Sequence, residues 1–193
     1  MTEKDKRDAG LWYDANFDEV LLAERAVADE ACHRLNAMEP GDPARYDVLR
    51  GLLGAIGRDV VILEPFFVDY GYNVRIGDGT FINHGAYLMD GASITIGDHV
   101  FIGPNFGAYV AQHPLVAEER NRGLERALPI TVGDDVWIGG DVKVMPGVTI
   151  GSGSVIGAGS VVTRDVPSGV VALGSPCRVM RPITAADRVT PGP

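Results

Sequence analysis

The sequence of 193 residues is poor in cysteine and in basic residues, and each shortage excludes a class of protein. Only Cys32 and Cys177 are present, too few for a disulfide framework or a metal site built from cysteines. Acidic residues outnumber basic ones by 26 to 17, which gives a net charge of −9. Because nucleic acids and anionic membranes select basic surfaces, we expect neither as the main partner.

Long apolar runs are also missing. Stretches such as residues 60–63 are far too short to span a membrane. The charged residues 1–8 are followed by no apolar segment of the kind found in signal peptides. Hydrophobic residues still make up 46% of the chain, enough for a folded core. These features predict a folded, soluble, cytoplasmic protein.

The first third of the chain has the periodicity of helices. Asn16 is predicted to cap the first helix, with Glu19 completing a capping box. Residues 39–43 break this pattern, and Asp42 is predicted to cap a second helix that starts at Pro43. We predict a helical segment over residues 1–58. The apolar stripe of its first helix is predicted at Val20, Ala23, Val27, Ala31 and Leu35.

From about Val74 the apolar period becomes six. A ladder of β-branched residues continues without a slip through Val132, Ile138, Val144, Ile150, Ile156 and Val162. An earlier ladder slips once, by two residues, and passes through Ile76, Ile82, Leu88, Ile94, Ile96, Ile102 and Ala108. Short turns separate the units, and 25 glycines, about twice the usual share, fit such turns.

A chain that turns every six residues predicts a mainly β protein, a parallel β-helix of roughly four coils between Val74 and Val166. Its inward side chains form the ladders, because side chains alternate along extended backbone. An irregular β-sandwich with an accidental period is the alternative, although its strands are typically longer. Residues 111–129 interrupt the ladder. Long loops inside a compact repeat are often functional, so we expect this one to protrude and to carry function.

Six stretches carry a resemblance to a known family. They are residues 10–15 (Gly-Leu-Trp-Tyr-Asp-Ala), 69–73 (Asp-Tyr-Gly-Tyr-Asn), 113–115 (His-Pro-Leu), 136–140 (Val-Trp-Ile-Gly-Gly), 146–151 (Pro-Gly-Val-Thr-Ile-Gly) and 174–179 (Gly-Ser-Pro-Cys-Arg-Val). Together with the hexads, they make the chain similar to the hexapeptide-repeat acyltransferases, and more narrowly to the maltose and galactoside O-acetyltransferases.

The resemblance implies a left-handed β-helix, an exception to the usual right-handed crossover. We place it at residues 59–182, followed by a C-terminal tail, residues 183–193, of which 185–193 look mobile. The resemblance also implies acetyl transfer from acetyl-CoA to a sugar hydroxyl, without a metal. It implies a homotrimer whose active sites lie between subunits.

Transfer to a hydroxyl needs a base that works near neutral pH, which directs attention to the four histidines. His113 lies in the interrupting loop, and Pro114 biases it toward extended backbone. In the similar family the matching histidine is the general base. We interpret His33 as a helix residue, and His84 and His99 as turn residues.

The remaining site residues follow from the resemblance. The acceptor is expected to contact Asp14, Asp69, Asn83 and Asp90. The CoA moiety is expected to contact Trp137, Gly140, Ala158, Thr163, Arg164, Arg178 and Arg181. Three positions depart from the galactoside or commoner pattern: Gly91 replaces an acid, Gly140 a serine and Arg164 a lysine. The Asp-Tyr-Gly-Tyr-Asn stretch favours the maltose branch.

Three alternatives remain at this stage. The same scaffold is used by zinc-dependent γ-type carbonic anhydrases, but the closely paired histidines of that family are missing here. A non-catalytic β-helix that only binds partners is the second. The third keeps acetyl transfer but changes the acceptor to an antibiotic, an amino sugar or serine.

Overall fold

The computed structural model describes residues 1–189 as short helices followed by a stack of short strands. The helices are α1 (Glu3–Asp8), α2 (Glu19–Asn36), α3 (Ala44–Leu52) and α4 (Ala117–Arg120). The first ten strands are β1 (Tyr13–Asp14), β2 (Ala55–Ile56), β3 (Val61–Ile62), β4 (Phe66–Val68), β5 (Val74–Ile76), β6 (Phe81–Ile82), β7 (Ala86–Met89), β8 (Ile94–Ile96), β9 (Phe101–Ile102) and β10 (Gly107–Tyr109). The others are β11 (Ala111–Gln112), β12 (Leu124–Ala127), β13 (Ile130–Val132), β14 (Trp137–Ile138), β15 (Lys143–Val144), β16 (Thr149–Ile150), β17 (Val155–Ile156), β18 (Val161–Val162), β19 (Val170–Leu173) and β20 (Arg178–Pro182).

Most of the strands form three parallel sheets that share one core. The first sheet contains β2, β5, β8, β13 and β16, and the third contains β4, β7, β10, β15 and β18. The second sheet contains β3, β6, β9, β14, β17 and β19 in parallel, with β20 added antiparallel at its edge. Since the chain visits the three sheets in turn, the predicted parallel β-helix is confirmed. Its first strand already begins at Ala55, before the residue at which the sequence places the coil.

Both hexad ladders point into the core, as predicted. Every ladder residue from Ile76 to Val162 is at most 3% exposed. Ser154 and Ser160 stand at inward positions too, and their hydroxyls donate to the carbonyls of Pro167 and Gly157. The buried polar groups are thereby satisfied, which burial requires.

Extra residues accumulate at one corner of the prism, between the third sheet and the first sheet of the next coil. We call this the third corner, and the turn between the second and third sheets the second corner. Arg75 pairs with Thr95, a coil of twenty residues, whereas Thr131 pairs with Thr149, a coil of eighteen. Thr95 pairs with Thr131, so the coil that contains the long loop has thirty-six. The sequence slip at residues 94–96 is therefore one enlarged third corner.

The N-terminal segment differs from the prediction in two ways. Asp18, not Asn16, caps α2, because its Oδ1 accepts from the amide of Leu21 at 2.9 Å. The buried face of α2 consists of Leu21, Ala28, Cys32 and Leu35, whereas Val20 and Val27 are exposed. Apolar residues occupy positions 20 to 23 consecutively, so periodicity alone did not select the face.

Smaller differences concern the element ends. Pro43 itself is the N-cap of α3, while Asp42 Oδ1 accepts from the amide of Ala44. Helix α1 was not predicted. The expected mobile tail forms a 3-10 turn at Ala185–Asp187, and residues 190–193 of that tail lie outside the described range. Within residues 1–189, no helix is both long enough and apolar enough to cross a membrane.

Candidate active site

The interrupting loop is held by a small antiparallel sheet of its own. Strand β12 pairs with β11 on one side and with the N-terminal strand β1 on the other. Asp14 stands opposite Leu124, and Gln112 stands opposite Arg126. His113 follows β11 directly, and the buried Pro114 comes next. The N-terminal segment thus fixes the backbone on which His113 stands.

One ring nitrogen of His113 is committed to the loop. Its Nδ1 lies 3.0 Å from the carbonyl oxygen of Leu124. Since a carbonyl only accepts hydrogen bonds, we assign the proton to Nδ1. This tautomer leaves the lone pair on Nε2, and the side chain is 44% exposed. His113 also lines a cavity of about 610 Å³ together with Trp12, Leu115 and Glu119. Nε2 is therefore the ring nitrogen that is left without a hydrogen bond to the loop.

Glu125 and Tyr13 lie beside His113, and neither is among the predicted site residues. Glu125 Oε2 is 3.8 Å from His113 Nε2, and Oε1 accepts from the hydroxyl of the buried Tyr13. Burial is the main cause that raises the pKa of Tyr13, so its hydroxyl stays protonated as a donor. Tyr13 belongs to one of the stretches that carried the resemblance. Glu125 carried no such signal, because the residues of β12, Leu-Glu-Arg-Ala, prefer helix to strand.

Asp69 lies at the third corner, partly exposed. Its Oδ1 accepts from the hydroxyl of Tyr87. Burial raises the pKa of Asp69, more than the hydrogen bond from Tyr87 and the nearby Arg25 lower it. Asp69, Tyr87 and Arg25 line a second cavity of about 480 Å³. A carboxylate at the wall of a cavity is suited to accept hydroxyl hydrogen bonds.

Asp90 does not fit the role that the resemblance gave it. It is fully buried, and its Oδ1 accepts from the amides of Asp69 and Tyr70 at 3.0 and 2.8 Å. Its Oδ2 accepts from the amide of Asn73 at 3.2 Å. These bonds use both oxygens of Asp90, and none of its surface is exposed. Asp90 therefore positions the backbone of the third corner and does not contact an acceptor directly.

Asp14 and Asn83 are each used in a local turn. Asp14 Oδ1 accepts from the amides of Asn16 and Phe17 at 3.1 and 2.9 Å. Asn83 lies at the second corner, and its Oδ1 accepts from the amide of His84 at 2.8 Å. That bond leaves the amide group of Asn83 as a donor. Asp14 is next to the His113 loop through β1, whereas Asn83 is at a different corner.

The residues expected to contact CoA lie in two places, one on the second sheet and at the second corner, the other at the third corner. Trp137 is 58% exposed on the second sheet, and Arg178 and Arg181 lie on β20 at the edge of that sheet. Gly140 and Ala158 follow β14 and β17 at the second corner. Thr163 and Arg164 follow β18 at the third corner. All of these side chains except Gly140 are exposed, as contact with a ligand requires.

Arg181 is paired with the tail. Its Nη2 lies 2.7 Å from Asp187 Oδ1, and Nη1 lies 2.8 Å from Oδ2. This bidentate pair lowers the pKa of Asp187 to about 2, chiefly through the hydrogen bonds from Arg181. An anion that bound Arg181 would compete with a carboxylate that is charged at neutral pH.

The histidines do not gather into a metal site. His84 lies at the second corner, His113 in the loop at the third, and His99 in the turn between the first and second sheets. Among the described residues 1–189, no group of three or more metal-ligating side chains is close enough to hold an ion. The carbonic anhydrase alternative needs such a group.

Comparisons with known proteins place the chain in a family. Residues 129–164 match the family described as bacterial transferase hexapeptide (six repeats), and residues 6–57 match the maltose acetyltransferase hexapeptide capping motif.

Three solved structures are similar over nearly the whole length. A maltose O-acetyltransferase from Clostridium difficile 630 is 43% identical with a TM-score of 0.92, covering 95% of this chain and 98% of that one. A galactoside acetyltransferase in complex with coenzyme A is 37% identical with a TM-score of 0.93, covering 97% and 94%. A hexapeptide-repeat acetyltransferase from Vibrio cholerae, complexed with acetyl coenzyme A, is 40% identical with a TM-score of 0.86, covering 95% and 100%.

The hexads and the N-terminal segment each match a family model, and nearly the whole chain matches solved acetyltransferases. The chain belongs to the maltose and galactoside acetyltransferase family of hexapeptide-repeat transferases.

Proposed function

We propose that this protein transfers an acetyl group from acetyl-CoA to a hydroxyl of a sugar of the maltose, glucose or galactoside type, with His113 as general base. The observation that carries the proposal is the Nδ1–Leu124 hydrogen bond, which leaves Nε2 of an exposed imidazole as proton acceptor. Family membership and the acetyl-CoA bound to a similar structure support the donor.

Direct transfer accounts for the chemistry with no further protein nucleophile. Nε2 takes the acceptor proton as the hydroxyl oxygen attacks the thioester carbonyl. The C–S bond then breaks, and the imidazolium returns the proton to the departing thiolate. Both cysteines are buried, and burial raises the pKa of each thiol, so neither is a ready nucleophile near neutral pH.

For the acceptor, Asp69 and Asp14 are the proposed carboxylates at the third corner, with Asn83 as an amide donor. For the donor, Trp137, Gly140 and Ala158 are proposed to line the path of the pantetheine arm, where small residues permit close approach. Thr163, Arg164, Arg178 and Arg181 are proposed to hold the phosphate-bearing end.

The separation of these groups supports a homotrimer with shared sites. Strands of the third sheet are up to four residues long, so its second and third corners are roughly 13 Å apart. We therefore propose that the His113 and the Asn83 of one active site come from two different subunits. A trimer whose third sheets face the three-fold axis brings the second corner of one subunit to the third corner of the next.

Exposed apolar residues favour the same arrangement. Phe67 of the third sheet, Phe101 and Trp137 of the second, and Leu115 at the loop tip are between 42% and 97% exposed. Four of the five outward residues of the first sheet are instead polar (Arg75, Thr95, Thr131 and Thr149), and the fifth is the small Ala55. The large exposed apolar side chains therefore lie on the other two sheets and at the loop tip, where the proposed trimer can cover them.

The test is an acceptor panel with acetyl-CoA, in which release of free thiol is measured. We expect maltose, glucose or galactosides to be acetylated faster than serine, chloramphenicol and amino sugars. His113→Ala should lower turnover by about 10²–10⁴-fold, because a general base is lost. The control is His33→Ala, which removes a helix histidine. Transfer confined to non-sugar acceptors, or full turnover by His113→Ala, would contradict the proposal.

A further inference from the structure

Glu125 has one oxygen that is fixed and one that is free. Oε1 accepts from the hydroxyl of Tyr13, whose side chain is fully buried and therefore has little freedom to move. The strand register also holds Glu125 in place, because Tyr13 of β1 and Glu125 of β12 are directly paired. The Glu125 side chain is only 14% exposed, so its carboxylate is held in one place.

The free oxygen faces the catalytic base. Oε2 lies 3.8 Å from His113 Nε2, too far for a hydrogen bond. Among the described residues 1–189, none donates a hydrogen bond to Oε2 in the structure. A carboxylate oxygen with unused acceptor capacity thus flanks the nitrogen at which the acceptor hydroxyl must bind.

Gly91 makes room for this arrangement. A Cβ at residue 91 would lie 3.2 Å from the Tyr13 hydroxyl and 3.4 Å from Glu125 Oε1. The first contact is tighter than ordinary packing and the second is at its edge, while the backbone of Gly91 is not in the left-handed region. The glycine therefore gives Tyr13 and Glu125 space and is not needed for its own conformation.

We propose that Glu125 is an acceptor-binding residue that selects neighbouring hydroxyl groups. One hydroxyl binds His113 Nε2 and is acetylated, while the adjacent hydroxyl on the same ring donates to Glu125 Oε2. The inference rests on the proposed function and names its substrate class, a vicinal diol. A lone hydroxyl makes only the first contact, so simple alcohols should be poorer acceptors than sugars.

The experiment compares glucose with its monodeoxy analogues as acceptors for the wild type, Glu125→Gln and Glu125→Ala. In the wild type, removing the hydroxyl next to the acetylated position should lower kcat/KM about ten- to hundredfold, since a hydrogen bond to a charged group is lost. In Glu125→Ala this discrimination should fall to within a few-fold. The KM for acetyl-CoA should stay unchanged.

Two further variants keep the test decisive. Tyr13→Phe should reduce the discrimination partly, because the anchor is lost while the carboxylate stays. Glu118→Gln, the same chemical change on the exposed helix of the loop, should leave the discrimination intact.

Each outcome has one meaning. If Glu125→Ala loses activity equally toward glucose and all deoxy analogues, Glu125 acts on the base instead and the inference is wrong, while the proposed function stands. If the wild type acetylates no sugar, the proposed function fails and the inference fails with it.

Discussion

At the scale of residues, Asp69 and Asp90 have different roles because they differ in burial. Asp90 is inaccessible and accepts only backbone hydrogen bonds, so it stabilises the third corner. Asp69 donates its backbone amide to that carboxylate and keeps part of its own side chain exposed. The resemblance implied contact with the acceptor for both, although the motif match is weaker at Asp90, and both are aspartates close to a glycine. Only the three-dimensional arrangement separates the ligand candidate from its support.

Asp69→Asn is expected to change stability and acceptor binding in opposite directions. Burial raises the native pKa of Asp69, so the native state binds more protons than the unfolded chain above the ordinary aspartate pKa of about 3.9. The free energy of unfolding of the wild type therefore falls as the pH rises from about 3.9 to the native pKa of Asp69. Above the native pKa this contribution no longer changes with pH. Asparagine does not titrate, so the stability of the variant relative to wild type should increase over this window.

The measurements are urea unfolding at a series of pH values and steady-state kinetics. The acceptor KM of Asp69→Asn should rise about tenfold, as for a lost charge-assisted hydrogen bond. A stability difference that is the same at pH 4 and pH 7 would show that burial does not affect this carboxylate.

At the scale of elements, local period determined what the sequence could reveal. The hexads identified the coil because a buried apolar residue recurs at every sixth position of the ladder. The contacts around His113 carried no such signal, because Leu124 lies eleven residues away in a non-periodic loop and Tyr13, which holds Glu125, is 112 residues from it. The loop was expected to protrude, yet its ends form a sheet with β1. No periodic signal marks strands of two residues that pair across such distances.

The N-terminus of α2 offers a test of one corrected prediction. Asp18→Ala should lower the free energy of unfolding by about 1 kcal/mol, because the Leu21 amide loses its side-chain acceptor. Asn16→Ala is the matched control and should cost clearly less, since the structure shows no helix cap at residue 16. Thermal or urea unfolding of both variants checks this. A larger loss for Asn16→Ala would restore the original capping assignment.

At the scale of the whole molecule, the proposed homotrimer would divide each active site between two chains. His113 belongs to the third corner and Asn83 to the second, at opposite ends of the third sheet. This division leads to a prediction that no single-chain site makes: two defective variants can complement each other. Each His113→Ala subunit still supplies Asn83, and each Asn83→Ala subunit still supplies His113.

Equal amounts of the two variants, unfolded and refolded together, should recover about a quarter of wild-type activity, the share of sites with both groups intact in random trimers. The assay uses acceptor well below its KM, where each variant alone is weak. Mixing the two folded proteins without refolding is the control. Activity no higher than the average of the separate variants would place both groups of each site in one chain.

The enlarged third corner, finally, bears on how the molecule tolerates added sequence. Coils of eighteen, twenty and thirty-six residues stack in one register because the additional residues of the longer coils all lie at the third corner. At the other corners, glycines lie directly against the backbone of the next coil. A methyl group on Gly103, for example, would lie 2.6 Å from the Gly140 amide nitrogen. A peptide inserted between coils at the third corner should consequently leave the β-helix folded. The same insertion at either of the other two corners should disrupt the packing between coils.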